Sequence, residues 1–180
     1  DGIPITMLPQ VKEEKDMTIT LSLSDMVKGI IYYTDNRLSE PIFSTAQQLI
    51  QASKLPIVSV SLNPINLGKN IVLDLYPSFY TMNRQIAAAL SASTADYAFF
   101  CEHDVLYPAS HFDFTPDRDD IFYYNAHVWR WKFPEDLLIT YDRLICLSGL
   151  CVNRRFALDH YQRRLAQIKA HGWEEDRRHE

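Results

Sequence analysis

The segment YAFFCEHDVLYP, residues 97–108, decides the fold. Its first five residues, all apolar or aromatic, run without alternation into Glu102, His103 and Asp104, after which the chain turns apolar again. A strand with one wet face alternates apolar and polar side chains, whereas a strand covered on both faces, as in a parallel sheet, reads as an unbroken apolar run. The segment is therefore expected to be a buried strand with three ionisable side chains at its carboxyl end. That is the end beyond which open α/β sheets gather their ligands.

Toward the N-terminus, GIIYY from Gly29 is a second run of this kind, and it stops at the polar tetrad Thr34-Asp35-Asn36-Arg37. Ser39-Glu40-Pro41 starts a helix expected over about residues 40–53, with Ile42, Ala46, Leu49 and Ile50 at helical spacing. PIVSVSL supplies another strand, closing at Asn63-Pro64, and the stretch from there to Gly68 has loop chemistry. SFYTMNRQIAAALSAS, residues 78–93, places Phe79, Met82, Ile86 and Leu90 on one face of a helix. Strand, helix, strand, helix, strand is the alternation of an α/β domain with right-handed crossovers. In such a domain the tetrad after the first strand and the acidic triplet after the third share one edge of the sheet.

Beyond the triplet, strands are expected around residues 121–125 and 127–132, and LLITYDRLICLSG, residues 137–149, is expected to complete the second half of the sheet. Asn153 can cap a last helix whose apolar face is Phe156, Tyr161, Leu165 and Ile168, ending near Gly172. Residues 1–16, with two prolines and a mixed charge cluster, read as a poorly ordered leader. Residues 17–180 are expected to form one domain, TITLSLS near its start being a short edge strand.

A chain of 180 residues, 47% of them hydrophobic, can bury one core. A net charge of -5 argues against broad binding to nucleic acid or to an anionic membrane, since either needs a basic surface. Cys101, Cys146 and Cys151 are odd in number and contain no CxxC pair, so they imply neither a disulfide framework nor a zinc knuckle. Reduced cytoplasmic thiols are the simplest reading. No apolar run approaches the roughly 20 residues that a membrane-spanning helix needs.

Two carboxylates separated by one residue at a strand end suit a hard cation such as Mg2+ or Mn2+, ions that bridge phosphate oxygens. If the chain stays extended there, Glu102 and Asp104 point to the same side and His103 away. The competing reading of the triplet is an acidic turn satisfied by backbone amides and solvent. A zinc site at Cys101-Glu102-His103 lacks a second Cys/His pair at suitable spacing.

GIIYYTDNR, FYTMNRQIAAAL, DYAFFCEHDVLYP and LSGLCVNRR, in that order over about residues 29–155, resemble the nucleotide-sugar glycosyltransferases of the GT-A fold. Their acidic DxD motif follows a buried strand and binds the metal and diphosphate together. The resemblance implies a Rossmann-like, mixed and mainly parallel sheet flanked by helices. It also implies metal-dependent transfer of a sugar from a nucleoside diphosphate sugar to an acceptor, with Mn2+ or Mg2+ as cofactor and UDP as the family's commonest nucleotide.

Carried over by position, Thr34 and Asp35, with Asn36 and Arg37 beside them, would contact the base or ribose, and Asn83 and Arg84 would add polar contacts to the nucleotide. Glu102 and Asp104 would stand for the two acids of DxD, and Ser148-Gly149 for the small-residue loop beside donor sugar and acceptor. GWEEDRRHE, at the C-terminus, resembles the acidic stretch that holds the base of inverting members, making Glu175 and Asp176 the catalytic candidates and His179 a metal candidate. The chain departs from the pattern in three respects: Glu replaces the first Asp, a histidine separates the acids, and the sequence ends close to where the family completes its site, as if truncated there.

Other readings stay open at this level. Asp35 also suits a turn, Arg84 a solvated helix face and the last nine residues an exposed charged tail. Loss of catalysis would leave a nucleotide- or sugar-binding module. A metal-dependent phosphohydrolase would need a further acid, which Asp113, Asp117, Asp119 or Asp120 could supply. Tyr123, Tyr124, Trp129 and Trp131 could offer ring faces to a sugar or nucleobase in a cleft, but at strand period they are expected to pack in the sheet or core, with His127 structural between them.

Overall fold

The computed structural model describes residues 26–132, 135–140 and 145–171. The leader, the TITLSLS segment, Glu175, Asp176 and His179 lie outside the described residues. The chain forms a mixed α/β fold around a six-stranded, mostly parallel sheet.

At its centre β1 (Lys28–Thr34) pairs in parallel with β2 (Ile57–Ser61) on one side and with β4 (Tyr97–Glu102) on the other. The unbroken apolar runs serve both faces of the sheet. Ile31, Tyr33 and Phe100 enter the cluster that holds Ile86 and Leu90, and Ile30, Tyr32 and Phe99 enter the cluster that holds Ile50, Tyr107 and Phe112. Each large apolar side chain so buried contributes about 1.5–3 kcal/mol relative to exposure.

The crossover helices are α1 (Ile42–Ala52) between β1 and β2, and α2 (Phe79–Ala92) leading into β4. Helix α1 buries Ala46 and Ile50 while Leu49 stays 36% exposed, so its apolar face is narrower than the spacing suggests. Helix α2 begins at Ser78, whose Oγ accepts a hydrogen bond from the Thr81 N–H at 3.0 Å. Helix α3 (Arg154–His171) starts as expected, with Asn153 Oδ1 accepting from the Arg155 and Phe156 N–H groups at 3.0 and 3.2 Å. It buries Ala157 and Tyr161 against the same sheet face as α2, with Leu165 and Ile168 partly covered.

Two expectations need correction, and one strand stands where no element was expected. A strand β3 (Lys69–Val72) pairs with β2 at the sheet edge, directly after the loop that ends at Gly68. Its four residues are too few and too exposed to carry a periodic signal, and it is entered through Gly68, whose φ of 58° and close approach to the Ile57 carbonyl exclude a Cβ.

The second half of the sheet is not completed by residues 137–149. There β7 (Leu137–Thr140) pairs only with β6 (Trp129–Lys132) in a separate two-stranded ribbon. The sheet is finished instead by β8 (Leu150–Asn153), antiparallel to β4, and by β5 (Phe122–Tyr124), antiparallel to β8.

Because β6 lies outside the main sheet, Trp129 and Trp131 are not core residues; they are 60% and 43% exposed, and His127 is exposed as well. Among the described residues no helix is long and apolar enough to cross a membrane.

Candidate functional site

The parallel arrangement of β1 and β4 brings their carboxyl ends side by side, with Tyr33 in register with Glu102. At these ends lies a cleft of about 410 Å³, walled by Thr34, Asp35 and Arg37 at the end of β1, by Glu102, His103 and Asp104 at the end of β4, and by the first turns of α2. The two polar clusters that the sequence places on one edge thus face a common space.

Glu102 is held from two sides. Tyr33 donates its hydroxyl to Glu102 Oε1 at 2.5 Å, and the Glu102 N–H donates to the Tyr107 hydroxyl at 3.0 Å. Burial pushes the Glu102 carboxyl above the usual carboxylate range, the Tyr33 hydrogen bond opposes this and the charge of Asp104 adds to it. Burial and the adjacent carboxylate in turn hold the Tyr33 phenol far above its ordinary value.

Asp104 differs in being exposed to solvent. The strand ends at Glu102 and the chain turns over His103 and Asp104, so extended geometry does not continue and His103 faces the cleft together with both acids. The His103 Nδ1 is buried and has no hydrogen-bond partner among the described residues.

Beside the triplet, Asp35 accepts from the Arg37 N–H at 3.0 Å and from its guanidinium Nε at 2.7 Å. Burial acts to raise the Asp35 carboxyl, but these hydrogen bonds, the Arg37 charge and His103 outweigh it and lower the carboxyl below its ordinary value. Asp35 therefore stays ionised, while Arg37 remains largely in solvent.

The other residues assigned from sequence fall elsewhere. Asn36 does not line the cleft; in a left-handed conformation with φ of 62°, its Oδ1 accepts from the Leu62 and Asn63 N–H groups, both at 2.9 Å, tying the end of β1 to the end of β2. Arg84 is exposed one turn from Tyr80, to whose hydroxyl it donates at 3.2 Å. Asn83 is buried on the side of α2 away from this cleft, in a second cavity. Ser148 and Gly149 are buried beneath Asn125 and line neither space.

The four aspartates considered as further acids are also absent from the cleft wall. Asp119 accepts from the Tyr97 hydroxyl and from Asn153, at the opposite end of β4, Asp117 accepts from Tyr123 and Asp120 pairs with Arg118. Asp113 lies near the amino end of β1, its carbonyl accepting from Lys28 Nζ.

Gln85 is a wall residue that sequence reading missed. Buried on α2, it donates Nε2 to the carbonyl oxygens of Thr34 at 2.7 Å and Val60 at 3.3 Å, fastening the helix to the ends of β1 and β2. The available signal was a glutamine on the apolar side of a helix, one position before Ile86, where an uncompensated amide would be costly.

Among the described residues no group of three or more His, Cys, Asp or Glu side chains is placed to hold a metal ion. The exposed Asp104 carboxylate and the shielded Glu102 fit the lighter requirement of a hard cation that takes one or two protein carboxylates and completes its shell with phosphate and water. Cys101 is wholly buried, and burial raises its thiol far above the ordinary value, which does not suit a zinc ligand. Comparison with protein-family models and with curated proteins gives no match for this chain.

Proposed function

We propose that the chain is a GT-A-like glycosyltransferase domain whose cleft binds the nucleoside diphosphate part of a sugar donor, a UDP-sugar in the first instance. The observation that carries this reading is the register of β1 against β4, which brings Asp35 and the Glu102–Asp104 pair into the wall of one cleft. An ionised Asp35 is suited to accept from a ribose hydroxyl or a base N–H, and Arg37 is near enough to swing toward phosphate. The N-terminus of α2, opening on the same space at Ser78, adds a field that favours an anion there.

Mn2+ or Mg2+, held by Asp104 with Glu102 behind it, would supply positive charge to the diphosphate in an acidic protein. The chain's own share is to position. Tyr33 and Tyr107 hold the Glu102 side chain and backbone, Gln85 holds the tetrad, and the buried sheet beneath keeps both fixed. Glu175 and Asp176 are retained as the proposed bases for the acceptor hydroxyl, with His179 as a further metal ligand.

Isothermal titration of UDP and GDP into the protein, with Mn2+ and then with EDTA, tests the proposal. Metal-dependent binding of one nucleotide supports it and selects the donor class. No binding of either in Mn2+ overturns it. Binding that is never accompanied by nucleotide release from sugar donors would reduce the protein to a nucleotide-binding module.

A further inference from the structure

Phe79 and Met82 line the cleft described above on one side and, on the other, a second cavity of about 370 Å³ formed between α2, α3, β5 and the start of β8. Such a volume is within the range of about 300–1,000 Å³ typical of small-molecule pockets. The two spaces differ in sign. Asp35, Glu102 and Asp104 stand in the wall of the cleft, whereas the second cavity has no aspartate or glutamate among the described residues of its wall and carries Arg164 and His160. In a chain of net charge -5, a cavity with a cation and no acid runs against the overall charge.

Arg164 is held at this wall. It is half-buried, its guanidinium carbon 5.0 Å from the centroid of the Phe79 ring in a cation–π contact. The ion pairs among the described residues are Arg37–Asp35, Arg118–Asp120 and Lys132–Glu135, so none engages Arg164. Its charge reaches the neighbouring wall residues: burial first, then Arg164 and Arg163, lowers His160, and Arg164 opposes the burial that raises the Tyr161 phenol. Asn83, also in the wall, donates Nδ2 to the Phe79 carbonyl at 2.8 Å and keeps its Oδ1 buried, so it sets no acceptor against an anion.

The rest of the wall fixes the body of the ligand. Phe122, Tyr124 and Tyr161 present rings, and Leu147 and Leu150 add apolar surface, a lining in which a flat aromatic ring packs by its edge or offset face. A ligand without charge leaves the guanidinium unpaired, and one without a ring leaves the apolar lining uncovered.

We infer that the second cavity binds a small aromatic acid, a ring bearing a carboxylate or phosphate, with the ring against Phe122 and Tyr124 and the anionic group hydrogen-bonded to the Arg164 guanidinium. No residue of the acidic triplet or the tetrad and no metal takes part, so the ligand here does not depend on the nucleotide-sugar reading of the cleft.

The test is saturation-transfer NMR in EDTA with benzoate, phenyl phosphate, benzyl alcohol and acetate, each at millimolar concentration. Benzoate or phenyl phosphate should receive saturation, and the better of the two names the anionic group. Benzyl alcohol, with the ring alone, and acetate, with the charge alone, should receive much less. Arg164→Met keeps a long stem against Phe79 and should weaken the better acid by about tenfold, the worth of one charge-assisted hydrogen bond, without lowering Tm. Arg163→Met removes the same charge one position along, outside the wall, and should change affinity by less than about twofold.

Absence of transfer to both acids overturns the inference, as does equal transfer to benzyl alcohol or an equal loss in Arg164→Met and Arg163→Met. UDP added with Mn2+ reads the cleft separately. An aromatic acid that stays bound beside UDP upholds the second cavity as its site, and one that UDP displaces belongs to the cleft and overturns the inference.

Discussion

Replacing Gln85 by methionine separates the tie between α2 and the sheet from the volume it fills. The side chain is 3% exposed and donates to two main-chain carbonyls, Thr34 at 2.7 Å and Val60 at 3.3 Å, the first of full strength and the second long. Methionine keeps the length and most of the packing but donates to neither. One good hydrogen bond contributes about 0.5–1.5 kcal/mol, and a buried carbonyl stripped of its donor costs about 1–3 kcal/mol, so Gln85→Met should lose about 2–3 kcal/mol.

Urea denaturation with an unchanged m-value measures that loss directly. A deficit under about 0.5 kcal/mol, the range of ordinary surface substitutions, would refute the tie. Gln85→Glu gives the complementary result. At neutral pH its carboxylate faces two carbonyl oxygens and should be the more damaging change, and the deficit should shrink in acid, where the protonated group can again donate. Because Thr34 opens the tetrad, both variants should also weaken nucleotide binding, read by titration.

Asp104→Asn should weaken Mn2+-dependent nucleotide binding by at least about tenfold while leaving Tm nearly unchanged, because the carboxylate is exposed and matters mainly when the cation is present. Equal affinity by calorimetry would remove Asp104 from the site. Phe99→Ala, at a position 1% exposed with ring contacts to His111 and Phe112, should cost about 3–5 kcal/mol in urea denaturation, and a near-neutral effect would contradict the burial of β4.

Burial lowers His111 below the ordinary histidine value, so the folded state resists a proton that the unfolded chain accepts. The contribution to stability is complete above the unfolded value of about 6.5 and is lost as pH falls from there toward the lowered folded value. Urea midpoints followed downward from neutral pH should decline, and more gently in His111→Phe; equal slopes would show that His111 does not drive the decline. A residual slope is expected from His160, which burial first and then Arg164 and Arg163 also lower.

Reading of the fold succeeded where burial leaves a one-dimensional trace. The doubly covered strands β1 and β4 are unbroken apolar runs, β2 alternates valine with serine, α2 carries an apolar face at helical spacing, and Asn153 caps α3 by a contact only two or three residues away. The four-residue edge strand β3 failed that test because its exposed, short sequence has no period to detect. Trp129 and Trp131 misled because aromatic residues at strand spacing look alike whether the strand joins the main sheet or, as here, a separate ribbon.

The candidate site divides in the same way. From the order of residues alone came an α/β class, an acidic triplet and a polar tetrad at strand ends, and the rule that such ends share an edge, because strand direction and apolar pattern are local properties. Which side chains meet was decided only in three dimensions. Asn36 turned to the β2 backbone, Asn83 and Gln85, two positions apart on α2, came to serve different cavities, and the hydroxyls of Tyr33 and Tyr107 closed on the side chain and backbone of Glu102. Apart from that of Tyr107, these contacts join residues far apart in the chain, and the energies of all of them depend on burial and hydrogen-bond geometry, which no local pattern encodes.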